Sequence, residues 1–320
     1  MTLAIVFPGQ GSQSVGMMQG FADLPSVVEE RAGSISIIEK TFREASDLVD
    51  VNYWKMVTEG PAEALNQTVN TQPLMLVAGV ACWRAWREKG GPLPAFFAGH
   101  SLGEYTALVA AESMRFEDAL PLVRTRAQAM QEAVPEGTGG IAAILGLADE
   151  KLAEVCAEAA QGQVLEPANL NSPGQVVIAG HRAAVERGMA LAKEKGAKRA
   201  VMLPMSAPSH CSLMKPAAER LRARLGAIEI AMPRVPVIHN RSVRAATDPA
   251  DIRTQLIEQL DHPVRWIEIV QFLAGQGAKR IVECAPGKVL TGLCKRIAAD
   301  AECVAVTDTA SLTAAITKDA

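Results

Sequence analysis

Pro94-Ala95-Phe96-Phe97-Ala98-Gly99-His100-Ser101-Leu102-Gly103-Glu104-Tyr105-Thr106-Ala107-Leu108-Val109-Ala110-Ala111 is the stretch from which the rest of the chain can be read. The apolar run up to Ala98 reads as a strand, and Glu104 to Ala111 as a helix. Between them stands Gly99-x-Ser101-x-Gly103, and a strand, Gly-x-Ser-x-Gly and a helix form the context of a nucleophile elbow. The glycines let the chain turn sharply. The serine is left at the tip, and the helix N-terminus behind it favours developing negative charge. A structural glycine-rich turn is the alternative reading. The flanking strand and helix favour a catalytic serine at Ser101.

Toward the N-terminus, Leu3-Ala4-Ile5-Val6-Phe7 is a continuous apolar run that suits a buried parallel strand. It lacks a basic leader region and breaks at Pro8-Gly9, so it reads as a first strand and not as a secretory signal. Pro8-Gly9-Gln10-Gly11-Ser12-Gln13 follows. Alone it is a tight turn between strand and helix. Paired with the serine turn, it could supply the second of the two N–H donors that acyl transfer needs.

Residues 17–50 read as polar helix interrupted at Ser34-Ile35-Ser36-Ile37-Ile38, and Asn66 to Pro73 reads as a polar loop. A helix from Leu74 to Glu88 stops at Lys89-Gly90-Gly91-Pro92. Beyond the elbow, Phe116 to Ala133 forms a helix carrying Arg124 and Arg126, and Pro135 to Gly140 reads as a hinge. From there the order changes. Strand 141–145, helix 149–160, strands 164–170 and 176–179, helix 183–195 and strand 199–203 give βαββαβ, the ferredoxin-like unit. The chain is expected to hold a large domain over 1–136 and 206–320 and an inserted small domain over 137–205.

The bulk properties agree with an α/β enzyme. The chain has 320 residues, 49% of them hydrophobic and 4% aromatic. A net charge of −3 and a pI near 6.0 argue against general nucleic-acid binding. No apolar run reaches the roughly 18 residues needed to span a bilayer. The six cysteines form no C-x-x-C pair, which fits reduced thiols in a cytoplasm and gives no metal site. No cofactor motif stands out.

A serine hydroxyl needs a base. His100 adjoins Ser101, but neighbours along a strand point opposite ways. His181 opens a helix and His262 precedes Pro263. His239, at a strand end, and His210, in Pro208-Ser209-His210-Cys211 where the chain returns to the large domain, remain. Domain junctions often line clefts, which favours His210. Between Ser101 and His210 no carboxylate stands at a convincing strand end, so a neutral acceptor is expected to orient the imidazole. Arg126, on a largely apolar helix, suits either a substrate carboxylate or an internal ion pair.

These motifs together resemble the malonyl-CoA:acyl carrier protein transacylase family of bacterial fatty acid synthesis. The matching stretches run nearly end to end: Phe7 to Gln13, Thr71-Gln72-Pro73, Gly99 to Tyr105, Met130 to Gly139, Asn171 to Gly180, Pro208 to Cys211 and Pro286 to Leu290. The resemblance implies an α/β-hydrolase-like large domain around the ferredoxin-like insert. It implies Ser101 as nucleophile, His210 as base, and the N–H groups of Gln10 and Leu102 as oxyanion hole. Arg126 would clamp the malonyl carboxylate, and the Gln259-Leu260 stretch would steady the histidine by a backbone carbonyl. Asn240 and His100 join Gln10 and Gln259 as substrate-contacting residues.

The implied partners are malonyl-CoA and an acidic, phosphopantetheinylated carrier protein, with the chain acting as a monomer. Lys198, Arg199, Lys215, Arg220, Arg222, Lys279, Arg280, Lys288, Lys295 and Arg296 could form a basic rim for that carrier, or simply solvated helix faces. The chain departs from the family between Met18 and Phe42, where Ala32 to Ser36 reads as part of an insertion. Malonate decarboxylase or polyketide pathways are alternative users of the same reaction. A serine esterase would need an acidic triad member and no Arg126. A non-catalytic scaffold would not keep both Ser101 and His210.

Overall fold

A computed structural model describes residues 2–24, 35–204 and 207–318. The elements run β1 (Thr2–Phe7), α1 (Ile37–Val49), α2 (Tyr53–Glu59), α3 (Ala62–Leu65), α4 (Thr68–Glu88), β2 (Phe96–Gly99), α5 (Gly103–Ala110) and α6 (Phe116–Glu132). Then come β3 (Gly139–Leu145), α7 (Asp149–Ala160), β4 (Leu165–Ser172), β5 (Gln175–His181), α8 (Arg182–Glu194), β6 (Arg199–Met202) and α9 (Lys215–Leu225). The chain closes with β7 (Val237–Ile238), α10 (Pro249–Glu258), α11 (Trp266–Gly275), β8 (Ala278–Cys284), α12 (Val289–Ile297), β9 (Glu302–Val306) and α13 (Thr309–Thr317). These elements fall into two compact units, one of Met1–Arg124, Glu229–Ile238 and Leu273–Ala320, the other of Thr125–Ile228 and His239–Phe272.

The first unit is built on a parallel sheet of order β7-β2-β1-β8-β9. Leu3 to Phe7 are all buried, as a central strand covered on both faces requires. The chain builds β2 and β7 to one side of β1, and β8 and β9 to the other. Open α/β sheets bind ligands at the carboxyl ends of strands beside such a reversal. Register places Phe7 opposite Gly99, so the turns after β1 and β2 leave the sheet side by side.

Two readings of this unit are corrected. Thr68 to Pro73 is not loop but the start of α4. Its polar side chains bind carbonyls of the preceding turn: Thr71 Oγ1 donates to Leu65 O at 2.6 Å and Asn70 Nδ2 to Ala64 O at 2.9 Å. Burial of the helix then outweighs the local preference against Pro73. Likewise Ile37 and Ile38 do not interrupt a helix. They open α1, with Ser36 capping it by accepting from Glu39 N at 3.2 Å. Most of the expected insertion, Ala32 to Ser34, lies outside the described residues, as does the expected domain boundary at 205–206.

The second unit holds an antiparallel sheet of order β4-β5-β3-β6. With α7 and α8 this is the ferredoxin-like arrangement that the βαββαβ order predicts. One face packs Ala142, Ile144, Leu165, Val176 and Ile178 against Leu152 and Val155 of α7 and Ala184 and Val185 of α8. The other face presents Ile141, Ala168, Val177 and Ala179, and Cys211 packs there. Gly139 and Gly140, read above as part of a hinge, belong to β3. A Cβ on Gly139 would come within 2.6 Å of the Pro208 ring, so the strand accepts that proline only with glycine there.

Candidate active site

In the first unit the elbow has the form its sequence predicts. Ser101 has φ 51°, the left-handed region that a non-glycine residue enters at a cost. The turn is closed by Gly103 N donating to His100 O at 2.9 Å, and α5 begins with Glu104 N donating to Ser101 O at 3.1 Å. His100 N donates to Phe7 O at 2.9 Å, which ties the elbow to the end of β1. Close approach explains the glycines. A Cβ on Gly103 would stand 2.0 Å from Phe7 O, and one on Gly9 2.6 Å from His100 O and 3.7 Å from Leu102 N. The backbone at Gly9 therefore runs against the main chain of His100 and Leu102.

Gln10 is held from the side by its Nε2, which donates to Thr68 Oγ1 at 3.3 Å. The polar composition of Asn66-Gln67-Thr68 reads as loop and hides this contact, which Thr68 makes from the first turn of α4. Gln13 reinforces the same turn, accepting from Gly11 N at 2.6 Å and donating to Asn66 Oδ1 at 2.9 Å. Ser101, His100 and Gln10 are half-buried, and Leu102 is buried.

In the second unit the structure brings His210, Gln259 and Arg126 together. His210 is 2% exposed and has φ 63°. Its N donates to Leu260 O at 3.0 Å, and its Nδ1 lies 2.8 Å from Gln259 O. A carbonyl only accepts, so Nδ1 carries the proton, and in the neutral imidazole the lone pair is at Nε2. Arg126, 1% exposed on α6, donates from Nη2 to Gln259 Oε1 at 2.9 Å. One residue thus orients the imidazole with its main chain and the guanidinium with its side chain. Asn240 is fully buried, and its carbonyl accepts from Arg265 N at 3.3 Å.

The remaining histidines are placed differently. His239 is fully buried, with its N donating to Arg244 O at 3.1 Å. His181 Nδ1 accepts from Val164 N at 2.9 Å. His262 Nδ1 lies 2.8 Å from Asp261 Oδ1. Cys211, beside His210, is no competing nucleophile, because burial pushes its thiol up to about 12. Arg280 leaves the expected basic rim: it is 2% exposed and donates to Ala315 O at 2.7 Å, a brace between β8 and α13. Among the described residues no group of three His, Cys, Asp or Glu side chains is placed to hold a metal ion. No helix among them is long and apolar enough to cross a membrane.

A strained serine on a helix N-terminus, and an imidazole whose Nδ1 faces a carbonyl, are the parts of nucleophilic acyl chemistry. A sequence profile of the acyl transferase domain matches residues 4–314. The chain is 52% identical over 315 residues to the malonyl CoA-acyl carrier protein transacylase of Salmonella typhimurium, covering 98% of this chain and 99% of that one. Its fold superposes with TM-score 0.94 on the crystal structure of acyl-carrier-protein S-malonyltransferase from Burkholderia pseudomallei, at 52% identity over 99% of this chain and 100% of the other. A malonyl-transacylase solved in complex with a type II PKS acyl-carrier protein gives TM-score 0.94 at 49% identity, over 99% and 100% of the two chains.

Proposed function

The chain belongs to the acyl transferase domain family, and on that premise we propose that it moves malonyl groups from malonyl-CoA to the phosphopantetheine thiol of an acyl carrier protein. In the first half-reaction His210 Nε2 takes the proton of Ser101 Oγ as that oxygen attacks the thioester carbonyl. The N–H groups of Gln10 and Leu102 receive the oxyanion. The intermediate collapses, the C–S bond breaks, and the CoA thiolate leaves with the proton from His210. In the second half-reaction the carrier's thiol gives its proton to His210 and attacks the malonyl ester. Ser101 Oγ leaves and recovers the proton. Arg126 pairs with the free malonyl carboxylate throughout, with His100 and Asn240 beside the acyl group.

The observation that carries this reading is the pair of contacts on Gln259. An esterase triad would put a carboxylate on the imidazole Nδ1, but in His210 a neutral carbonyl occupies that place. A hydrolase also has no use for a buried guanidinium fixed beside its base. The segment 137–205 is taken as the inserted small domain of a monomer. Six buried cysteine thiols fit a reducing cytoplasm.

The likeness to a transacylase solved with a type II PKS carrier favours a second reading of the partner, with the reaction unchanged. Mixing the protein with malonyl-CoA and holo carrier protein tests the function. Malonyl-carrier should form much faster than free malonate. Rapid release of malonate with no carrier product contradicts it.

A further inference from the structure

The segment that carries His210 is held mainly by the antiparallel sheet of its own unit. Pro208 packs over Gly139 of β3. Cys211 is buried among Ile141, Ala168, Val177 and Ala179. Ser212 is gripped by Glu166 of β4, whose Oε2 accepts from Ser212 N at 2.8 Å and whose Oε1 accepts from Ser212 Oγ at 2.7 Å. The same strand also pairs with the segment that follows Gln259. Val264 N donates to Ala168 O and Leu170 N donates to Val264 O, both at 2.9 Å, just past Gln259. Strand β4 therefore fixes the chain after His210 and the chain after Gln259.

Glu166 stands out on this strand. Ala168, two residues on, belongs to the apolar face that packs Cys211. A carboxylate next to such a face is costly unless both oxygens are satisfied, and Ser212 satisfies them with its amide and its hydroxyl. We propose that Glu166 is a positioning residue for the base: by clamping Ser212 it holds the turn at His210, and with it the aim of the imidazole resting on Gln259. The inference relies on the reading of His210 as the proton carrier.

A turn loosened by a fraction of an ångström misdirects Nε2 without altering where malonyl-CoA binds. Glu166→Ala should lower the rate of serine acylation by roughly ten- to a hundredfold, with KM for malonyl-CoA within about twofold. Glu166→Gln keeps one acceptor and gains a donor for the hydroxyl, so it should recover to within about threefold of the parent. Ser212→Ala keeps the amide bond and should fall between the two. In isotope-edited NMR of labelled histidine, the downfield Nδ1–H signal of His210 should weaken in Glu166→Ala and return in Glu166→Gln.

Parent-like acylation by Glu166→Ala overturns the proposal. So does a loss that tracks only a lowered melting temperature, with an unchanged Nδ1–H signal and no recovery in Glu166→Gln. If Glu166→Ala fails to fold, Ser212→Ala decides: an unchanged rate overturns the proposal. Failure of the functional reading looks different, since the parent protein itself would then form no malonyl-serine.

Discussion

The carbonyl oxygen of Gln259 stands 2.8 Å from Nδ1 of His210, and the same residue's Oε1 accepts from Arg126 at 2.9 Å. The first contact fixes the tautomer, because a carbonyl can only receive the Nδ1 proton. A neutral acceptor stabilises an imidazolium less than a carboxylate would. As the base of the proposed reaction, His210 would return its proton readily to a leaving thiolate, which suits reversible exchange between thiols. The second contact fixes the planar guanidinium, which in the proposed function would pair with the malonyl carboxylate.

Arg126→Ala should lose malonyl transfer by roughly a hundredfold or more, while acetyl transfer changes by less than about threefold. An acetyl group has no carboxylate to pair. Steady-state rates with the two CoA esters check this, and equal losses would make Arg126 an internal structural residue.

Gln259→Ala removes the amide that holds the guanidinium but keeps the main-chain carbonyl facing His210. KM for malonyl-CoA should rise roughly tenfold, about 1.4 kcal/mol, with kcat nearly unchanged. A collapse of kcat at constant KM would place the side chain in the proton path instead.

Gly103→Ala tests the packing of the elbow on β1. The new Cβ would stand 2.0 Å from Phe7 O, and the three nearest atoms are all main chain of Phe7 and Pro8. A loss of about 3 kcal/mol is expected in denaturant unfolding, together with loss of acylation. Parent-like stability would mean that the two turns are not packed as described.

Arg244 hydrogen-bonds the Asp251 carboxyl and, with Gln255 and Thr247, holds it well below the usual carboxylate range. A depressed folded value contributes stability that is present above the unfolded value, near about pH 4, and is lost as pH falls toward the folded one. Asp251→Asn should therefore be less stable than the parent at neutral pH. It should also lose less stability between about pH 5 and pH 3. Melting curves across that range check the sign.

The elbow was legible because its signal is local: an apolar strand, two glycines around Ser101 and a helix start are contiguous. The small sheet was legible from element order alone, since βαββαβ has few ways to close. The start of α4 was not, because Asn70 and Thr71 serve as partners for carbonyls at Ala64 and Leu65, which composition reads as solvent preference. Glycines 139 and 140 read as a hinge, yet Gly139 is small because Pro208 lies on it from far along the chain. The Gln259 contacts span 49 and 133 positions, a separation no spacing rule reaches. The family resemblance implies the Gln259 carbonyl at His210 but not the contact to Arg126.

The central claim is that Ser101 carries malonyl between two thiols. It is tested most directly by the intact mass of the protein after brief exposure to malonyl-CoA without carrier, beside Ser101→Ala. The parent should gain the mass of one malonyl group, localised to the peptide containing Ser101 and discharged on adding holo carrier protein, and Ser101→Ala should gain none. An unmodified parent, or an adduct that persists in Ser101→Ala, would contradict the account.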